Sequence, residues 1–217
     1  MKLFNKILAG IVAIAMTACD AHKDFPDTTM KVGHVVCTDG MVVPVEVADS
    51  LGKQPIAVVF HINRDEDVEG RGYAVYLNDT PDRAFTDSVG VKQGTSADIY
   101  ALDGNANTYA MFANSTCGSP IAEYVFDMWR YGQSAYIPSV AQMRLAFQNK
   151  AAVNATIRKI GGEPLPDESD ECWYWTSTEV EGQETAKAWL YSVGSGSMQE
   201  TPKIQPHKVR PIITIND

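Results

Sequence analysis

The chain has 217 residues, 45% of them hydrophobic and 21% charged, a globular balance that excludes a disordered chain, a fibrous repeat and a polytopic membrane protein. Its formal net charge is −9, and Met1–Ala18 holds Lys2 and Lys6 but no acid, so the remainder carries −11. A surface that acidic repels phosphate backbones and anionic headgroups, which argues against nucleic acid as a partner.

The N-terminus comes first. Lys2 and Lys6 precede an unbroken apolar run, Ile7–Met16. Ten residues reach only about 15 Å as a helix, half the hydrocarbon thickness, so the run reads as an export signal rather than a membrane span. Met16-Thr17-Ala18-Cys19 follows it. That tetrad resembles the lipobox of bacterial lipoproteins, in which the cysteine is acylated and the signal is cut just before it. The resemblance implies a signal peptide over 1–18, lipidation at Cys19, and the outer membrane as a partner held through the acyl chains. Asp20 and Lys23-Asp24 are similar to the charged signals of surface lipoproteins of gut anaerobes, which leaves both the cell surface and the periplasmic face open. Residues 19–30, with Pro26 among charged side chains, read as a flexible tether.

With Cys19 committed to lipid, Cys37, Cys117 and Cys172 remain. Three is odd, so at most one intramolecular disulfide forms. None lies in a C-x-x-C spacing, which speaks against a cysteine metal site.

Residues 31–217 are enough for one domain. Val32–Cys37 and Met41–Val47 flank Thr38-Asp39-Gly40 as a hairpin, and Pro44 marks the second strand as an edge or as one with a bulge. Ile56–Ile62 (IAVVFHI) is the continuous apolar run of a strand buried on both faces, and Tyr73–Leu77 is a second strand. Ser119-Pro120 starts a helix, with Ile121, Tyr124, Val125 and Met128 at helical spacing. Ser139 and Gln142 form a capping box, ahead of Met143, Ala146 and Phe147. Val153, Ile157 and Ile160 predict a further helix that stops at Gly161-Gly162. Trp173–Thr178, Ala188–Val193 and Lys208–Ile215 then read as strands, with Gly194-Ser195-Gly196-Ser197 a loop between the last two. The order predicts an α+β fold.

Several short motifs in order carry a family resemblance. They are Thr38-Asp39-Gly40, Asp103-Gly104 with Asn107-Thr108, Tyr136-Ile137-Pro138-Ser139, Trp173-Tyr174-Trp175-Thr176-Ser177-Thr178-Glu179, Ala188-Trp189 and Val209-Arg210-Pro211. Over residues 33–213 the chain resembles a family of bacterial exported proteins with a C-type-lectin-like fold, distantly similar to the formylglycine-generating enzymes. The resemblance implies two or three helices packed on small twisted antiparallel sheets, with long loops at one end. It implies no reaction.

The candidate chemistry is therefore recognition. Trp175 and Trp189 read as core, whereas Trp173 stands open between packing and a surface platform for sugar C–H faces. Tyr174, Glu179 and Tyr191 complete the candidate ligand-binding set. Asp167, Glu168, Asp170 and Glu171 crowd one loop; a solvated loop is the preferred reading, and calcium the cofactor they would otherwise hold. Arg210 is expected to pair with a carboxylate such as Glu179 as a structural strut. His22, His34, His61 and His207 are scattered and no catalytic set emerges. The expectation is a non-catalytic module binding a glycan or protein through the loops around Leu165–Cys172 and Gly194–His207. The alternatives are an accessory subunit of a surface fibre or envelope complex and, last, a cysteine-dependent oxidase.

Overall fold

A computed structural model describes residues 29–65, 68, 70–128, 135–167 and 172–216. Cys19 and the lipobox lie outside the described residues, as do Glu168, Asp170 and Glu171. No helix among the described residues is long and apolar enough to cross a membrane.

The chain opens with β1 (Val35–Cys37), β2 (Val42–Val43), α1 (Val45–Ser50), β3 (Pro55–Ile62), β4 (Gly72–Tyr76) and β5 (Arg83–Ala84). Four helices follow: α2 (Gly104–Phe112), α3 (Pro120–Phe126), α4 (Val140–Gln148) and α5 (Lys150–Lys159). It closes on β6 (Trp173–Glu179), β7 (Lys187–Ser192), β8 (Met198–Pro202), β9 (Pro206–His207) and β10 (Ile212–Ile215). The class is α+β, with five helices among the described residues where two or three were expected.

The main sheet runs β10-β4-β3-β1-β2, every pair antiparallel. β3 is buried on both faces, as its unbroken apolar run predicted. Ala57 and Val59 enter a core shared with α3, Trp175 and Leu190, while Val58 and Phe60 enter a second core against Ala146, Val153 and Ile157 of α4 and α5. A two-residue period on a sheet with helices across it produces this split. β6-β7-β8 form a smaller sheet, whose Tyr174 and Tyr191 pack on Val140 and Met143 of α4. β5 and β9 pair alone.

Local chemistry sets most boundaries. Ser119 Oγ accepts from the Ala122 amide with Pro120 in the first turn, and the Ser139–Gln142 capping box is closed in both directions. Pro44 overturns the strand expected over Met41–Val47: β2 stops at Val43, and Pro44 becomes the residue from which α1 starts. β2 is nonetheless the edge, one of the two outcomes expected from its proline. The expected loop beyond Gly194 is short, because β8 and β9 occupy most of the span to His207. At the other end, Met30 is buried in the first core, so the last residue of the expected tether belongs to the packed domain.

Candidate functional site

A cleft of about 790 Å³ opens where the segment after β4, the end of α5 and the start of β6 converge. Its aromatic wall is Trp173 with Tyr124 of α3; its polar wall is Thr80, Asp82, Glu163, His207 and Lys208. Trp173 is only partly buried, being the first residue of β6, where the strand leaves the core.

Beneath the cleft lies Asp79. Arg210 Nε donates to its Oδ1, while Tyr174 Oη donates to its Oδ2 at 2.9 Å and Lys208 Nζ reaches the same oxygen at 2.7 Å. Arg210 spends Nη1 on the Tyr76 and Glu163 carbonyls, at 3.2 and 2.8 Å. One carboxylate thus anchors two cations drawn from the last segment of the chain. Burial, then the neighbouring Asp79 charge, drives the Tyr174 phenol far above its ordinary pKa, so it stays a donor.

The strut expected for Arg210 exists, but its partner is Asp79 and not Glu179. Glu179 is buried against Lys203, and its Oε1 also accepts from the Gln93 amide at 2.8 Å. Lys203 Nζ further donates to the Val91 and Glu184 carbonyls and lies 5.5 Å from the Phe85 ring centroid. Both members of this pair are closed to solvent, so Glu179 locks β6 to the segment after β8 and presents nothing to a ligand.

Of the four candidate ligand-binding residues, Trp173 alone lines this cleft. Tyr174 and Tyr191 are buried against α4, and Glu179 is held as above. Trp175 is core, its Nε1 donating to the Arg83 carbonyl at 3.1 Å. Trp189, also expected in the core, is only partly buried. Asp167 faces Lys150 at 3.1 Å and Arg158 at 3.6 Å, which makes it a partner of lysine and arginine. Among the described residues no group of three or more His, Cys, Asp or Glu is arranged to hold a metal ion.

Cys37, Cys117 and Cys172 are buried, and no disulfide joins one of them to another. Cys117 Sγ lies 3.3 Å from Ser88 Oγ, and Cys172 Sγ lies 3.1 Å from Ser192 Oγ. Burial, followed by the charge of Asp39, pushes the Cys37 thiol up, which keeps it protonated.

His207 ends one of the two loops expected to make contact, whereas Thr80, Asp82, Tyr124, Glu163 and Lys208 were not among the candidate residues. Asp82 and Glu163 form no ion pair with any described residue, although Glu163 Oε2 accepts from the Asp79 amide at 3.3 Å; Asp82 lies far from Trp173 in sequence. His207 sets its ring edge-on to Trp175 with centroids 5.3 Å apart, and burial lowers its pKa although Asp82 opposes the shift. Arg83 covers the Tyr124 ring at 4.7 Å from its centroid. An open groove with an indole wall, two uncompensated carboxylates, a hydroxyl and an imidazole can orient a polyhydroxylated ligand. No family model matches the chain, and no similar curated protein or solved structure was found.

Proposed function

We propose that the protein is a lipid-tethered recognition module of the bacterial outer membrane, with a C-type-lectin-like fold, which binds a glycan in the Trp173 cleft. The observation that carries the reading is the partly exposed Trp173 ring beside Asp82, Glu163, Thr80 and His207. An aromatic face takes the C–H side of a pyranose, and the polar groups take its hydroxyls. The uncompensated carboxylates favour neutral or amino sugars over sulfated ones. The lectin-like assignment draws support from helices packed on small antiparallel sheets, and the anchor from the Cys19 motif.

The test is a glycan array probed with the purified protein and with Trp173→Ala and Asp82→Asn. Retention of a neutral or amino glycan by the parent, with about tenfold weaker binding by either variant, is expected, equivalent to about 1.4 kcal/mol. Asp82 is exposed, so its variant reports binding without a change in packing. A silent array, or equal binding by all three proteins, overturns the reading.

A further inference from the structure

One wall of the Trp173 cleft hangs on a ladder of two residues. β5 and β9 pair only as Arg83↔His207 and Ala84↔Pro206, so His207, half-buried at the cleft, stands directly across from Arg83. Residues opposite each other in an antiparallel pair project to the same face. Arg83 lies over the Tyr124 ring, 4.7 Å from its centroid, and makes no ion pair with a described residue. On its other side the His207 ring meets Trp175 of β6 edge-on, with centroids 5.3 Å apart.

Few charges face this ring, and most are already engaged. Arg83 of β5 and the adjoining Lys208 are cations, and Lys208 Nζ is held 2.7 Å from Asp79 Oδ2. Asp79 also serves Arg210 and Tyr174. Glu163, beyond the end of α5, accepts from the Asp79 amide at 3.3 Å. β6 presents the uncharged Trp175, and α3 presents the Tyr124 phenol. Asp82 remains. It is exposed, lies one residue ahead of β5, makes no ion pair with a described residue, and is the charge that opposes the lowering of the His207 pKa by burial.

We propose that His207 makes ligand binding in the Trp173 cleft pH-dependent: neutral, it leaves Asp82 to the hydroxyls of a glycan, and protonated, it claims Asp82 for an ion pair. The inference rests on the glycan reading of the cleft and adds the regulation of that site. An imidazolium in the observed position is disfavoured by its burial against Trp175 and by the positive charges of Arg83 and Lys208. Turning toward Asp82 relieves both. A charge-assisted hydrogen bond from imidazolium to carboxylate is stronger than one from a neutral sugar hydroxyl, so the ligand loses that acceptor. Protonation also removes the one ring nitrogen that accepts hydrogen bonds. The cleft therefore retains its ligand at neutral pH and releases it in acid.

The experiment probes the same glycan array at pH 7.5 and at pH 5.0 with the parent, Asp82→Asn and His207→Gln, and compares the ratio of the two signals within each protein. A ratio of about tenfold is expected for the parent and one within about twofold for either variant. Asp82→Asn keeps the imidazole and its titration, so a loss caused by acid unfolding persists in it, whereas a loss through the Asp82 pair does not. A second readout needs no glycan. Imidazolium quenches a neighbouring indole, so the tryptophan emission of the parent falls with a midpoint below pH 6.5; His207→Gln lacks that step, and Asp82→Asn shifts its midpoint to lower pH. Equal retention by the parent at the two pH values, the parental ratio in either variant, or an unmoved midpoint in Asp82→Asn overturns the regulation and leaves the glycan reading standing. An array silent at both pH values overturns the two together.

Discussion

His207 links the candidate site to stability through one proton. Its ring is lodged between Trp175 and the cleft, and burial lowers its pKa from the ordinary 6.5 in spite of the neighbouring Asp82. Between the ordinary value and the lowered one, the unfolded chain binds a proton that the folded chain refuses. Stability from this group is therefore complete above about pH 6.5 and is lost as the pH falls through the folded value. His61, stacked on Tyr73 at 6.0 Å and likewise lowered by burial, contributes with the same sign. Denaturant midpoints of the parent should fall between pH 7.5 and pH 5.5, and His207→Gln should flatten that dependence without abolishing it. An unchanged slope in the variant would show that the imidazole is not held neutral.

At the scale of the element, the interior explains which helices could be anticipated. α3, α4 and α5 announce themselves because each sets buried apolar residues at helical spacing and, for α3 and α4, because the first turn carries a recognisable cap or, for α5, because a glycine pair ends the run. α2 does not. It buries Gly104, Asn107, Thr108 and Met111, while Tyr109 and Phe112 face outward. Its inner face is polar because Asn107 accepts from the Ser96 amide at 2.9 Å and donates to Asp103, and Thr108 Oγ1 accepts from the Ile137 amide at 2.8 Å. A helix seated by hydrogen bonds leaves no hydrophobic period to detect. Gly104 is the tightest point of that seat. A Cβ there would lie 2.6 Å from the Ile137 carbonyl oxygen and 2.9 Å from the Ser139 nitrogen, the residue that caps α4. Gly104→Ala should cost about 1–3 kcal/mol, as overpacking against backbone does, visible as a lower denaturant midpoint at unchanged slope. The candidate site divides in the same way. Trp173 stood out because an indole at the mouth of a strand is conspicuous, whereas Asp82 and Glu163 carry no local signal and reach it only through the turn after β4 and the end of α5. The partner of Arg210 was missed for the same reason: Asp79 lies on that turn, 131 residues away.

The whole molecule is closed by its last strand. β10 pairs with β4 along Ile212↔Val75 to Ile215↔Gly72, and Ile212 exchanges backbone hydrogen bonds with Tyr136 at 2.9 and 3.0 Å. Tyr136 Oη adds a bond to Thr214 Oγ1 at 2.9 Å, and the Arg71 amide donates to the Ile215 carbonyl at 2.7 Å. Ile212, Ile213 and Ile215 are all buried, on the two faces of the sheet. At about 1.5–3 kcal/mol for each buried isoleucine, the strand contributes an amount comparable to the roughly 5–15 kcal/mol that separates a folded domain from its unfolded chain. Its loss also leaves β4 as a long apolar edge. A chain ended after Pro211 should therefore show no cooperative thermal transition and should aggregate, whereas the parent melts cooperatively. The comparison reads out by circular dichroism and size exclusion. A cooperative, monomeric melt from the chain ending at Pro211 would mean that the two cores close without β10, and that the Arg210–Asp79 anchor holds the C-terminal segment in place unaided.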